Sequence, residues 1–133
     1  MSGLLDDALR ATIECRLVTT GRVSGAPREI RIWFGVEGDR LYLLAQDRDR
    51  AHWVRNVAAE PRVQVRIGER TFNGRARVVD PAEDADAVAR ESFAAKYGTK
   101  YLAKFLREAL PVVVDLEREV DESRSSVGKR RRP

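Results

Sequence analysis

Apolar and polar positions alternate with a period of two in several stretches of this chain. Between residues 28 and 36, Ile30, Ile32, Phe34 and Val36 fall on one side and Glu29, Arg31 and Trp33 on the other, which predicts a half-buried strand. Residues 15–20 predict the strand before it. Gly21, Ser24, Gly25 and Pro27 lie between the two and supply turn chemistry, glycine by permitting positive φ and proline by presetting its own. Glu37-Gly38-Asp39-Arg40 reads as a hairpin turn into a short, mostly apolar strand at 41–45. Alternation resumes at 62–67, where Val63, Val65 and Ile67 oppose Arg62, Gln64 and Arg66. Gly68-Glu69 turns the chain into a strand at 71–79, in which Gly74 marks a bend or bulge. Residues 111–116 are almost continuously apolar and predict a central strand.

Helical spacing fills the gaps. Leu4, Leu5, Ala8, Ala11 and Thr12 make a narrow stripe over residues 4–14, with Asp6 and Asp7 near the start, where the helix dipole favours them. Trp53 and Val57 stand four apart over 51–59, and Glu60-Pro61 ends that helix. Asp80-Pro81-Ala82-Glu83 predicts the next helix start, with Asp80 as cap, Pro81 in the first turn and Glu83 closing a box-like pair. Gly98 interrupts, and a second short helix is expected over 99–108. Six strands with short links predict an α+β fold, an antiparallel sheet closed into a small barrel whose openings the helices cover.

At 133 residues, with 43% hydrophobic and 35% charged side chains, the chain suits one folded domain rather than a disordered one. The domain is expected over 1–120, with a basic tail over 121–133. The net charge of +4 equals the four positive charges of Lys129, Arg130, Arg131 and Arg132, so 4 − 4 leaves the rest formally neutral, which argues against a nucleic-acid-binding body. No run approaches the roughly 18 apolar residues of a membrane-spanning helix. The first residues are too acidic and broken for an export signal, so a cytoplasmic location is expected. Cys15, the single cysteine, reads as a small core residue.

Metal and triad chemistry have little to work with. His52 is the only histidine, Asp47 and Asp49 near it read as water-facing, and no metal site is expected. A cofactor would then supply the reactive atom. The candidate positions fall into four groups. Arg22, Ser24 and Arg28 surround the glycine turn, where open backbone amides beside guanidinium groups make an anion cradle. Arg48, Arg50, Trp53 and Asn56 occupy the loop and start of the 51–59 helix, Trp33 stands on the polar side of its strand, and Tyr97, Tyr101 and Phe105 repeat at fours. The aromatic residues could wall a flat heterocycle or simply pack the core.

The order of motifs resembles the deazaflavin-dependent nitroreductase family, within the FMN-binding split-barrel superfamily. The matching pieces are L-x-T-x-G-R-x-S-G-x-P-R at 17–28, the pair Trp33-Phe34, G-D-R-L-Y-L-L-A at 38–45, H-W-x-R-N-x-x-A-x-P-x-V-x-V at 52–65, and L-P-V-V-V at 110–114. The resemblance implies a six-stranded antiparallel split β-barrel with flanking helices that binds coenzyme F420, with FMN as the alternative. It implies that Arg22, Ser24 and Arg28 meet the coenzyme's phosphate and acidic tail. Ala45, Gln46, Arg48, Trp53 and Asn56, with Trp33, would line the remainder of the cofactor site. Tyr97 and Tyr101 are the expected catalytic residues, lying on the substrate side as donors to developing charge. The implied activity is hydride transfer to an electron-poor small molecule such as a quinone or nitro compound. A non-catalytic flavin- or deazaflavin-binding module is the other reading, and a homodimer is the expected assembly.

Overall fold

The computed structural model describes residues 3–100 and 102–120. Seven strands form one antiparallel sheet: β1 (Glu14–Thr20), β2 (Pro27–Trp33), β3 (Gly35–Glu37), β4 (Arg40–Ala45), β5 (Arg62–Ile67), β6 (Arg70–Val78) and β7 (Leu110–Glu119). Their order across the sheet is β2-β1-β5-β6-β7-β4-β3. The two outermost strands, β2 and β3, are separated in sequence by Phe34 alone, so the sheet curls round and the chain itself joins its two edges. This is the expected barrel, with seven strands where six were expected.

The extra strand comes from a break at Phe34 inside the stretch read as one strand over 28–36. The Tyr97 hydroxyl accepts the Phe34 N–H at 3.0 Å, and the Lys96 ammonium donates to the Phe34 carbonyl at 3.1 Å. Both polar groups of that peptide therefore leave the sheet ladder for side chains of a helix more than sixty residues away. Gly35 completes the break. A Cβ there would lie 2.0 Å from Ser92 Oγ, so only glycine lets the helix come this close.

Leu17, Phe34, Leu43, Val65, Phe72, Val112 and Val114 fill the barrel. Tyr42, Leu44 and Val113 point the other way and pack with Ala89 and Phe93 of α3 (Asp84–Tyr97). β4 and β7 are thus covered on both faces, the physical reason for their unbroken apolar runs. Gly74 carries the expected irregularity: the β6–β7 register shifts between Asn73 and Gly74, and a Cβ there would meet the Asp115 carbonyl at 2.9 Å.

Three helix boundaries differ from expectation, since the helix expected over 99–108 forms only over Ala103–Glu108. Only α1 (Asp7–Arg10) forms within 4–14, capped by Asp6, whose carboxylate accepts the Leu9 N–H at 2.9 Å. The Asp80–Glu83 pair does form, with Glu83 accepting the Asp80 N–H at 2.9 Å, but it closes a separate turn and α3 begins at Asp84. α2 (His52–Ala59) and α4 (Ala103–Glu108) complete the structure. No described helix is long and apolar enough to cross a membrane.

Candidate active site

The barrel is open where β2 and β4 part. β3 pairs with β4 through Gly35↔Tyr42, and continuing that register would set Trp33 opposite Leu44. The ladder stops there instead. β2 turns away to pair only with β1, leaving one edge of its backbone unpaired. A cleft of about 760 Å³ occupies this gap. Ile30, Ile32 and Trp33 line it from β2, Leu44, Ala45 and Gln46 from β4 and the residue after it, Trp53 from α2, and Leu102 and Phe105 from the α4 side. Such a slot, with apolar and aromatic walls interrupted by Glu14, Arg31, Asp47 and Arg50 and edged by backbone donors and acceptors, suits a flat heterocycle with a polar rim.

A smaller cavity of about 270 Å³ lies at the turn between β1 and β2, bordered by Gly21, Arg22, Ser24, Arg28 and Asn56. The turn is closed by Gly21 N–H to the Ala26 carbonyl at 2.7 Å, with Gly25 at φ 75. Ser24 Oγ accepts the Ala26 N–H at 3.1 Å, and Arg28 reaches the same oxygen at 3.4 Å. A Cβ on Gly21 would lie 2.9 Å from Ser24 Oγ and 3.3 Å from Arg28 Nε, so glycine keeps this hollow open. Two guanidinium groups with a serine hydroxyl are a donor set for a phosphate or carboxylate.

Arg22 is fixed by α2. Its Nη1 donates to Asn56 Oδ1 at 2.8 Å, its backbone N–H to the same oxygen at 3.2 Å, and its Nη2 meets His52 Nδ1 at 3.2 Å. Asn56 is buried and donates in turn to Thr19 Oγ1 at 3.1 Å. Asn56 therefore works as the strut that ties the turn to the helix. Of the described residues, only His52 borders both cavities.

The remaining expected residues are divided. Trp33, Ala45, Gln46 and Trp53 meet in the cleft, together with Asp47 and Arg50. Arg48 turns away: at φ 54 its guanidinium donates to the Glu108 carbonyl at the end of α4. Tyr97 stands behind Trp33, the rings stacked at 4.4 Å and 17°. Its hydroxyl donates to the Ile13 carbonyl at 2.6 Å, and burial pushes it up to about 12. Burial likewise raises the Cys15 thiol to about 12 and lowers the Lys96 ammonium to about 8. Tyr101 lies outside the described residues. The linking position of His52 escaped the sequence reading; its spacing of four from Asn56 on one helix was the available signal.

Comparison with known proteins bears on the fold and the family. No curated protein matches the chain. Among solved structures, the heme storage protein HutZ of Vibrio cholerae superposes with a TM-score of 0.70 at 14% identity, over 84% of this chain and 87% of that one. A FAD-binding protein of Mesorhizobium loti gives 0.64 at 16% identity, over 84% of each chain. An F420-H2 dependent reductase gives 0.63 at 22% identity, over 88% of this chain and all (100%) of that one. These likenesses establish the fold. The profile of one sequence family matches residues 8–117, a span that contains the turn, the cleft and α2. The chain belongs to the F420H(2)-dependent quinone reductase family, and with it to the F420-dependent oxidoreductases.

Proposed function

We propose that this chain delivers a hydride from reduced F420 to an electron-poor small molecule, a quinone or a nitro compound. The observation that carries the reading is the junction of an anion cradle with an aromatic-walled slot in the open seam of the barrel. The residues fit the coenzyme: Arg22, Arg28 and Ser24 would take its phosphate and acidic tail, and the cleft between β2 and β4 its flat ring. When bound, reduced F420 supplies the hydride.

The protein's own part is positioning and exclusion of water. Asn56 holds Arg22 in place, and Trp53 and Ala45 form one wall. Tyr97 braces Trp33 by stacking, which sets the opposite lip. Arg48, by holding the last turn of α4, keeps Phe105 over the opening. Donation of a proton by Tyr97 to developing charge would require its hydroxyl to release the Ile13 carbonyl. In this reading two copies pair through the exposed Ile13 and Trp33, which are 61% and 39% accessible, and sedimentation should show a dimer.

The test mixes purified protein with reduced F420 and either menadione or a nitroaromatic, and follows loss of the reduced coenzyme. Oxidation of the coenzyme faster than without protein is expected with at least one acceptor. Binding of F420 without turnover of either acceptor would refute hydride delivery to this class and leave a binding module. Tight binding of FMN with none of F420 would refute the coenzyme assignment.

A further inference from the structure

We infer that His52 is a ligand-binding residue held in a single tautomer by Arg22, presenting its Nε2–H where the cradle meets the cleft. The inference rests on the coenzyme reading above and assigns a donor that the motif comparison did not supply.

The argument begins with Arg22. A guanidinium group carries only donors, and its Nη2 lies 3.2 Å from His52 Nδ1. Nδ1 must therefore accept, which puts the imidazole proton on Nε2. An Nδ1–H would set one N–H against another, so the contact selects the Nε2–H tautomer. Arg22 is tethered on its other side. Asn56, buried and anchored to Thr19, fixes its Nη1 and its backbone N–H. Nη1 also reaches the carbonyl of His52 itself at 3.4 Å, so the arginine grips both ends of the residue.

The two ring nitrogens diverge, and a ring whose Nδ1 faces Arg22 carries Nε2 away from it. Among the described residues, no protein acceptor is within hydrogen-bond reach of Nε2, and His52 borders both the 270 Å³ cradle and the 760 Å³ cleft. An N–H in that position suits an acceptor oxygen on the stretch of coenzyme between its ring and its phosphate. The ring offers one N–H donor toward the ligand, so it orients that stretch while the arginines supply the attraction.

The single histidine makes the test direct, because one imidazole gives one set of nitrogen resonances. Nitrogen-15 spectra of the free wild-type protein at pH 7.5 should show the Nε2–H tautomer alone, and R22Q should give a mixture. Titration with F420 should shift the protonated Nε2 most. In parallel fluorescence titrations, H52A should bind F420 about 5- to 20-fold more weakly than wild type. H52Q, whose amide N–H can stand at the Nε2 position, should recover most of that loss. An Nδ1–H tautomer, an unperturbed ring on binding, or equal affinity in wild type and H52A would overturn the assignment while leaving the coenzyme reading intact. Failure of wild type to bind F420 would overturn both.

Discussion

Replacing Lys96 by methionine should make the protein more stable at neutral pH and should flatten its response to alkali. The ammonium is half-buried above the Phe34 ring, 3.4 Å from its centroid, and its hydrogen-bond acceptor among the described residues is the Phe34 carbonyl. Burial lowers it from 10.5 to about 8. Below about 8 both the folded and the unfolded chain carry the charge, and the burial penalty is fully present. Between about 8 and 10.5 the unfolded chain holds a proton that the folded chain has lost, so stability rises with pH. The difference, 10.5 − 8 = 2.5, bounds the penalty at about 3.4 kcal/mol. Water still reaches the half-exposed group, and screening reduces the figure to about 1–2 kcal/mol. Cys15 opposes this trend only above its ordinary value of 9.0, where the unfolded thiol ionises and the folded one, raised to about 12, does not. At pH 9 the half-ionised unfolded thiol takes back about 0.4 kcal/mol, but K96M shares that loss, so the difference between the two proteins isolates Lys96. Urea unfolding should show wild type gaining about 0.5–1 kcal/mol across that window, K96M gaining little, and K96M more stable at pH 7. Equal gains in both proteins would refute the reasoning, as would a K96M less stable than wild type at pH 7.

Removing the Tyr97 hydroxyl in Y97F should cost about 1–3 kcal/mol in urea unfolding, because the Phe34 N–H is left buried with no acceptor. G35A should lose about 1–3 kcal/mol by overpacking against Ser92, and G35A/S92G should recover part of it in the same measurement. R28A should weaken F420 binding about tenfold by fluorescence titration with the melting temperature unchanged, since Arg28 is exposed and its one hydrogen bond, to Ser24 Oγ, is 3.4 Å long.

What could be read from the sequence was mostly what is local. The strands at 62–67 and 111–116, the bulge at Gly74 and the glycine turn all follow from periodicity or from a residue's own backbone preferences. The break at Phe34 does not. Ile30, Ile32, Phe34 and Val36 keep their alternation straight through it, and its cause lies in Lys96 and Tyr97. The same contrast runs through the site. Arg22, Ser24 and Arg28 could be singled out from the sequence as anion-cradle candidates, and the structure brings them to one hollow. The roles of Asn56 and His52 come from contacts across thirty or more residues, and Arg48, equally basic, is drawn to the carbonyl of Glu108 instead. Charge shows which side chains could bind an anion, and packing decides which of them face it.

The unpaired edge of β2 has a further consequence. A row of open backbone donors and acceptors beside Ile30 and Ile32 is also a template for another chain's strand, the usual origin of sheet-to-sheet aggregation. Elsewhere each inner strand is paired on both edges within the sheet, and the other outermost strand, β3, is only three residues long (Gly35–Glu37). At the seam, Arg31 and the bulk of Trp33 line the opening, and the charged Glu29 stands on the same edge strand. A flat molecule seated in the slot would cover the remainder. If F420 sits in this gap as proposed, it also shields the edge, and the loaded protein should stay soluble at higher concentration than the free one.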